Sequence, residues 1–235
     1  MITETPAIRD GERIEELGGG IRILQRSDGF CFGTDAVLLS EFAKAKPGER
    51  LLDLCTGTGI VPLLLFKKTR CRDITALEIQ PEVCDMAKRS VALSGAEGAV
   101  RVVLGDLKNH RQLFAAQSFD AVTCNPPYMP VNTGKMCESE KERLSRHELL
   151  CSLEDVIGAA AWLLKCGGRF YMIHRADRLT DIMSTMRGYR IEPKRVQLIH
   201  PTADREANLL LVEGKSGGKS GIKALPPRVM GTENA

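Results

Sequence analysis

No two of the eight cysteines form a Cys-x-x-Cys pair, and none stands in a cluster with histidine. Metal fingers and disulfide frameworks need tighter spacing, so neither is expected, and the thiols are read as free. No metal site is expected. Long apolar runs are also missing. The longest, at residues 60–66, is far shorter than the ~20 residues that span a bilayer. The opening "MITETPAIRDGERIEELGGG" has charge throughout and no apolar signal core. We therefore expect a soluble, cytoplasmic protein. Aromatics are scarce at 5%, no segment is of low complexity and no repeat is visible, which leaves an ordinary globular chain of 235 residues. Charge of one sign is nearly absent. Residues 1–187 carry 25 Lys+Arg against 25 Asp+Glu, and residues 188–235 carry 8 against 5, so the whole net +3 lies in the last 48 residues. That distribution is compatible with a polyanionic partner or with a solvated face.

What is present is an alternation. "RLLDLC" (50–55), "DITALE" (73–78), "VRVVL" (100–104), "FDAVTC" (119–124) and "GRFYMIH" (168–174) have strand character. Helical stretches at 60–68, 81–94, 110–115, 153–164 and 178–186 lie between or after them, and a further helix at 34–43 precedes the first. "GGIRILQRSDGFCFG" suggests a hairpin ahead of that helix. Two last strands, at 191–199 and 208–213, are joined by "HPTADREA", a connection too short for a parallel crossover. The fold class expected is α/β: a doubly wound, mostly parallel seven-stranded sheet with one reversed strand near the edge. The tail from 215, rich in Gly, Ser and Lys, is expected to be mobile and to carry little structure.

In such sheets ligands sit at the carboxyl ends of the strands. The first strand is followed by "DLCTGTGIVP", in which Gly57 and Gly59 let the backbone approach a ligand at a helix N-terminus. A dinucleotide fingerprint places a third glycine three residues after the second, and here that position is Pro62, which disfavours NAD. Glu78 closes the second strand, where a carboxylate can accept from ribose hydroxyls. Asp106, after the third strand, can accept from an adenine amino group or can simply cap a turn. Together these residues outline a mononucleoside bearing a carboxylate, the shape of S-adenosylmethionine. The expected cofactor site is Asp53, Cys55, Gly57, Gly59, Glu78, Ile79, Asp106 and Leu107.

The fourth strand ends in Asn125-Pro126-Pro127-Tyr128. The two prolines fix two φ angles and remove two donors. The carbonyls of Asn125 and Pro126 are thus offered as acceptors without competing N–H groups, suited to the two hydrogens of a planar amine. Tyr128 can stack on the plane that carries it. Asn125, Pro126 and Tyr128 are the expected catalytic residues.

These motifs resemble those of class I S-adenosylmethionine-dependent methyltransferases of the amino-methylating group. More narrowly, "DGFCFGTDAVLLSEF", "NPPYMPV", "RHELLCSLEDVI", "LLKCGGRFYMIHR" and "HPTADREANLLLVEGKSGGKSG" resemble the bacterial enzymes that methylate the adenine beside the anticodon of a valine tRNA. The resemblance implies S-adenosylmethionine as cofactor, tRNA as partner and an adenine amine as acceptor. It divides the chain into an extension or hairpin (1–33), a methyltransferase domain (34–214) and a basic tail (215–235). The family usually has glycine where this chain has Cys55, whose Cβ is expected to narrow the methionine end of the pocket.

Pro127, Arg146, His147, Lys194 and Arg195 are the expected substrate-binding residues, the last two as phosphate contacts. Phe30 and Phe32 are candidates to close over the cofactor, though core packing explains them better. A protein glutamine methyltransferase acting on a release factor would use the same proline corner. A non-catalytic RNA-binding protein on this fold is a further alternative, against which Asn125 and Glu78 speak.

Overall fold

The computed structural model describes residues 8–26, 33–127 and 151–231. Strands β1 (Glu12–Glu16) and β2 (Arg22–Arg26) form a separate antiparallel hairpin, followed by helix α1 (Thr34–Phe42). The alternating unit comprises β3 (Arg50–Leu54), α2 (Ile60–Lys68), β4 (Asp73–Glu78), α3 (Pro81–Leu93), β5 (Val100–Leu104), the short α4 (His110–Leu113) and β6 (Phe119–Cys124). Then come α5 (Leu153–Leu163), β7 (Leu164–Arg175), α6 (Leu179–Gly188), β8 (Ile191–His200), β9 (Leu209–Ser216) and two short strands, β10 (Lys223–Ala224) and β11 (Arg228–Val229).

The seven long strands lie in the order β8-β9-β7-β6-β3-β4-β5, with β9 antiparallel to both neighbours, as expected from its short connection. Each buried strand is short and apolar because both faces of the sheet are covered. On one face Leu51, Ile74, Ala121 and Tyr171 pack with Leu39 of α1 and Leu63 of α2. On the other, Leu52, Val122, Phe170 and Met172 pack with Ile157 of α5 and Ile182 of α6. The hairpin does not join the sheet. It lies along α3, where the N–H of Leu24 donates to Ser90 Oγ at 2.9 Å and that of Arg22 to Ser94 Oγ at 3.0 Å. Arg89 clamps Glu12 through two 2.6 Å hydrogen bonds, which hold the Glu12 carboxyl down at about 2.

Two expectations need correction. The described part of the tail, to residue 231, is structured: β10 and β11 pair in parallel with β8, and Lys194 Nζ donates to the carbonyls of Lys219 and Gly221. Composition suggested mobility, but the outer edge of β8 offers unpaired backbone groups that an extended tail can satisfy whatever its side chains. The strand expected at 168–174 begins earlier, running directly out of α5 at Leu164. Gly167, at φ 78°, lies in a break of register between Phe119 and Ala121 of β6. A Cβ on Gly168 would stand 2.9 Å from the Lys165 carbonyl, so the glycine pair makes this bulge possible.

Candidate active site

The strand order reverses around β3, with β4 on one side and β6 on the other. Leu54 is paired with both Leu77 and Cys124, so the loops that begin at Cys55 and Asn125 leave the sheet side by side. This switch point is where a doubly wound sheet opens a crevice.

Glu78 is the tie within that crevice. It is 4% exposed, and its two oxygens accept from the N–H of Gly57 at 2.9 Å and of Gln80 at 3.0 Å. One carboxylate therefore holds the glycine loop to the start of α3. Burial raises its pKa, and the backbone bonds oppose the rise. The loop itself needs its glycines. Gly57 has φ 58° and open space where a Cβ would stand, while Gly59, at φ 89°, is the N-cap of α2 and would bring a Cβ within 3.6 Å of Ala87. No side chain caps α2, so its first N–H groups face the loop, a setting suited to a carboxylate.

Behind the loop, Asp53 is 1% exposed. Thr123 Oγ1 donates to its Oδ1 at 2.6 Å, and its Oδ2 has no partner. Burial raises its pKa to about 7, Thr123 and the neighbouring Thr56 oppose the rise, and the Glu78 charge adds to it. Because the folded value lies above the ordinary one, Asp53 ionisation erodes stability as pH climbs from about 4 to 7. An unpaired buried acceptor, a bare helix start and an open space over Gly57 together fit the polar end of an amino-acid-bearing nucleoside. Asp106 Oδ1 accepts from the Lys108 N–H at 2.9 Å, so it acts as a turn cap. The carboxylate has a second oxygen to offer a ligand. Ile79 is half-buried beside Glu78, and Leu107 is buried.

Cys55 has φ 56°, in the left-handed region that disfavours a side chain. Its thiol faces those of Cys124 and Cys151; Cys124, then burial, raises its pKa, and Cys151 opposes the rise. We expect Cys55→Gly to be more stable than Cys55→Ala by about 1 kcal/mol, because glycine relieves the backbone while both lose the sulfur. Urea unfolding of the two variants measures this directly. The reverse order would mean that residue 55 is not left-handed in solution.

Asn125 and Pro127 are half-buried and Pro126 buried, at the end of β6 and beside this crevice. Tyr128, Arg146, His147, Phe30 and Phe32 lie outside the described residues. Lys194 and Arg195 lie on β8, away from the proline corner. Lys194 anchors the tail, while Arg195 pairs with Glu213, donates to the Phe42 carbonyl at 3.2 Å and lies 4.4 Å from the centre of the Phe42 ring. Both side chains make intramolecular contacts three strands away from β6.

Two residues escaped the sequence reading. Thr123 was legible as the strand neighbour of the Asn125 corner, but its bond to Asp53 depends on the β3–β6 register. His174 is the last residue but one of β7, and Asn125 directly follows β6. With Cys124 paired to Met172, His174 stands level with Pro126. A histidine near the end of the next strand of the same sheet was the available signal.

The molecule can be compared with known proteins. Residues 27–188 match the family described as the methyltransferase small domain. A Porphyromonas gingivalis protein named tRNA1(Val) (adenine(37)-N6)-methyltransferase is 30% identical over 188 residues, covering 77% of this chain and 72% of that protein. A protein of the same name from Phocaeicola vulgatus is 28% identical, covering 78% and 76%. Among solved structures, an Agrobacterium tumefaciens protein described as a predicted O-methyltransferase superposes with a TM-score of 0.68 at 22% identity, covering 85% of this chain and 89% of its own. A SAM-dependent O-methyltransferase from Thermotoga maritima gives 0.56 at 15% identity, covering 82% and 68%. The structural likenesses establish the fold, and the sequence match spans the switch point, the glycine loop and the proline corner together. On that combined ground, the chain belongs to the methyltransferase small-domain family.

Proposed function

We propose that this protein methylates the exocyclic amine of an adenine in tRNA, with S-adenosylmethionine as donor and the adenine beside the anticodon of a valine tRNA as target. The observation that carries the reading is the pairing of Leu54 with Cys124, which sets the glycine loop and the Asn125 corner next to each other. The relatives named for this tRNA reaction give the substrate.

The cofactor's holders are the Gly57–Gly59 loop with the α2 N-terminus for its carboxylate, Glu78 for its ribose hydroxyls and Asp106 for its adenine amine. Bound there, S-adenosylmethionine supplies an electrophilic methyl group. The remaining chemistry belongs to the chain. Asn125 and Pro126 carbonyls take the two hydrogens of the target amine, which pushes density back onto nitrogen and steadies the positive charge that develops there. The prolines keep both acceptors fixed, so no reorganisation is needed during the reaction. The amine proton can leave afterwards, and no strong base is required beforehand.

Nucleoside mass spectrometry of tRNA from a deletion strain tests the reading. A methyladenosine present in wild type should be absent from valine tRNA of the deletion strain and return on complementation. An unchanged tRNA profile, with a missing methylglutamine in a release factor, would transfer the assignment to the protein-amide reading.

A further inference from the structure

Three thiols meet at the crevice, and the methyl transfer uses none of their sulfurs. Cys55 opens the glycine loop directly after β3, Cys124 ends β6, and Cys151 stands just before Ser152, the N-cap of α5. The pairing of Leu54 with Cys124 brings the first two to the same end of the sheet. Cys55 and Cys151 both pack on the core cluster that contains Cys124. The thiols of Cys55 and Cys151 face each other.

The three differ in access. Cys124 is 0% exposed, whereas Cys55 and Cys151 are half-buried. Cys151 also lines a cavity of about 210 Å³ together with Pro126, Pro127 and Leu153, beside the proline corner. A small solute entering that cavity reaches Cys151 before the other two. Neither Cys55 nor Cys151 belongs to a helix or strand, so joining them breaks no backbone ladder, while Cys124 is held in β6.

We infer that Cys55 and Cys151 are a redox modification site, joined by a hydroperoxide into a disulfide that spans the crevice and closes it to S-adenosylmethionine. The Cys151 thiolate attacks one peroxide oxygen. An S–O bond forms as the O–O bond breaks, and the departing hydroxide takes up the thiol's proton to leave as water. The Cys55 sulfur then displaces the oxygen of the sulfenic acid, which forms the S–S bond and releases a second water. Two thiols are oxidised and one peroxide is reduced to two waters.

The facing Cys55 thiol, then burial, raises the Cys151 pKa, so thiolate is scarce at neutral pH and the bond closes slowly. The scarcity is offset in part, because the thiolate of a weaker acid is the stronger nucleophile. The pair therefore answers sustained oxidant rather than a brief pulse. Its effect follows from its position. Cys55 leads into Thr56 and Gly57, whose N–H is tied to Glu78. The crosslink holds this loop to the start of α5, past the end of β6, between the cofactor loop and Asn125. That is the path along which a methyl group must travel from cofactor to amine. The inference needs the cofactor site but not the tRNA target, so the two stand or fall separately.

The full chain, reduced and freed of reductant, is treated with hydrogen peroxide and quenched with catalase. One portion is capped with N-ethylmaleimide, and peptide mass spectrometry on it should find Cys55 joined to Cys151. Calorimetry on the other should show S-adenosylmethionine affinity weakened roughly 10-fold or more, the scale of a lost polar contact in the pocket, and restored by dithiothreitol. Cys151→Ser should bind S-adenosylmethionine like untreated wild type both before and after peroxide. It keeps every other thiol and methionine, and so controls for their oxidation. Cys166→Ser, which removes an exposed thiol, should stay as peroxide-sensitive as wild type. A Cys55–Cys124 bond in place of the expected one, no disulfide at all, an affinity unchanged by the Cys55–Cys151 bond, or an equal peroxide loss in Cys151→Ser each overturns the inference.

Discussion

Asn125→Ala should lower the methyl-transfer rate at least 100-fold, about 3 kcal/mol, with S-adenosylmethionine affinity nearly unchanged. The two effects separate because Asn125 and the cofactor loop stand on different strands. Asn125 follows Cys124 of β6, whereas the glycine loop follows Leu54 of β3, and the two are joined through the pairing of those strands and the Thr123–Asp53 hydrogen bond behind them. Truncation at 125 removes an acceptor that matters when charge develops on the amine, and leaves Gly57, Glu78 and Asp53 with their bonds intact. Asn125→Asp keeps an acceptor in the same place. It should retain more activity than alanine while paying for a half-buried charge, so its rate should fall between the two. A single-turnover assay with saturating cofactor isolates the chemical step. A near-wild-type rate for Asn125→Ala would end this account of the corner, and a parallel loss of cofactor affinity would make Asn125 a structural support of the pocket.

The alternation of elements was legible because both faces of the sheet are covered. Segments such as residues 51–54 and 119–124 are then forced to be short apolar runs, and the helices between them carry their own start signals. Pro81 in the first turn of α3 is one. The crevice was legible for a related reason: turns that must bring backbone to a ligand need glycine, and Gly57 and Gly59 both have positive φ. Three things were hidden. The β10 and β11 strands make only main-chain pairs, which leave no mark on side-chain pattern. Charge counts did not reveal that Arg195 was already paired with Glu213 or that Lys194 held the tail, because a sequence gives the number of cations and not their partners. Cys55 was flagged as a departure from glycine, but the accommodation came from the register: the end of β6 and the start of α5 place Cys124 and Cys151 against it. In each case the missing information is a cross-strand or tertiary neighbour, which a linear pattern does not carry.

Glu78→Ala should weaken S-adenosylmethionine binding by about 1–3 kcal/mol, roughly 5- to 150-fold, the scale of hydrogen bonds to a charged group. The structure makes this side chain serve two ends. Its oxygens accept from Gly57 and Gln80, which shapes the loop, and each oxygen retains a second lone pair for a ribose hydroxyl. The isosteric Glu78→Gln change is therefore not expected to be mild. An amide has only one oxygen, so its NH₂ must face one of those two backbone donors, N–H against N–H, and the loop loses a tie while the ribose loses an acceptor. Acid should mimic the change. Burial raises the Glu78 pKa above its ordinary value, so the ionised acceptor is lost as pH falls through that raised value, earlier than for an exposed glutamate. Cofactor affinity should fall in the same direction in wild type, and this pH dependence should vanish in Glu78→Gln. Calorimetry across the acid range, with thermal unfolding of the cofactor-free proteins alongside, separates binding from folding. If Glu78→Ala binds S-adenosylmethionine as tightly as wild type, Glu78 is only a loop tie; if the pH dependence survives in Glu78→Gln, another carboxyl, with Asp53 the nearest buried candidate, governs the site.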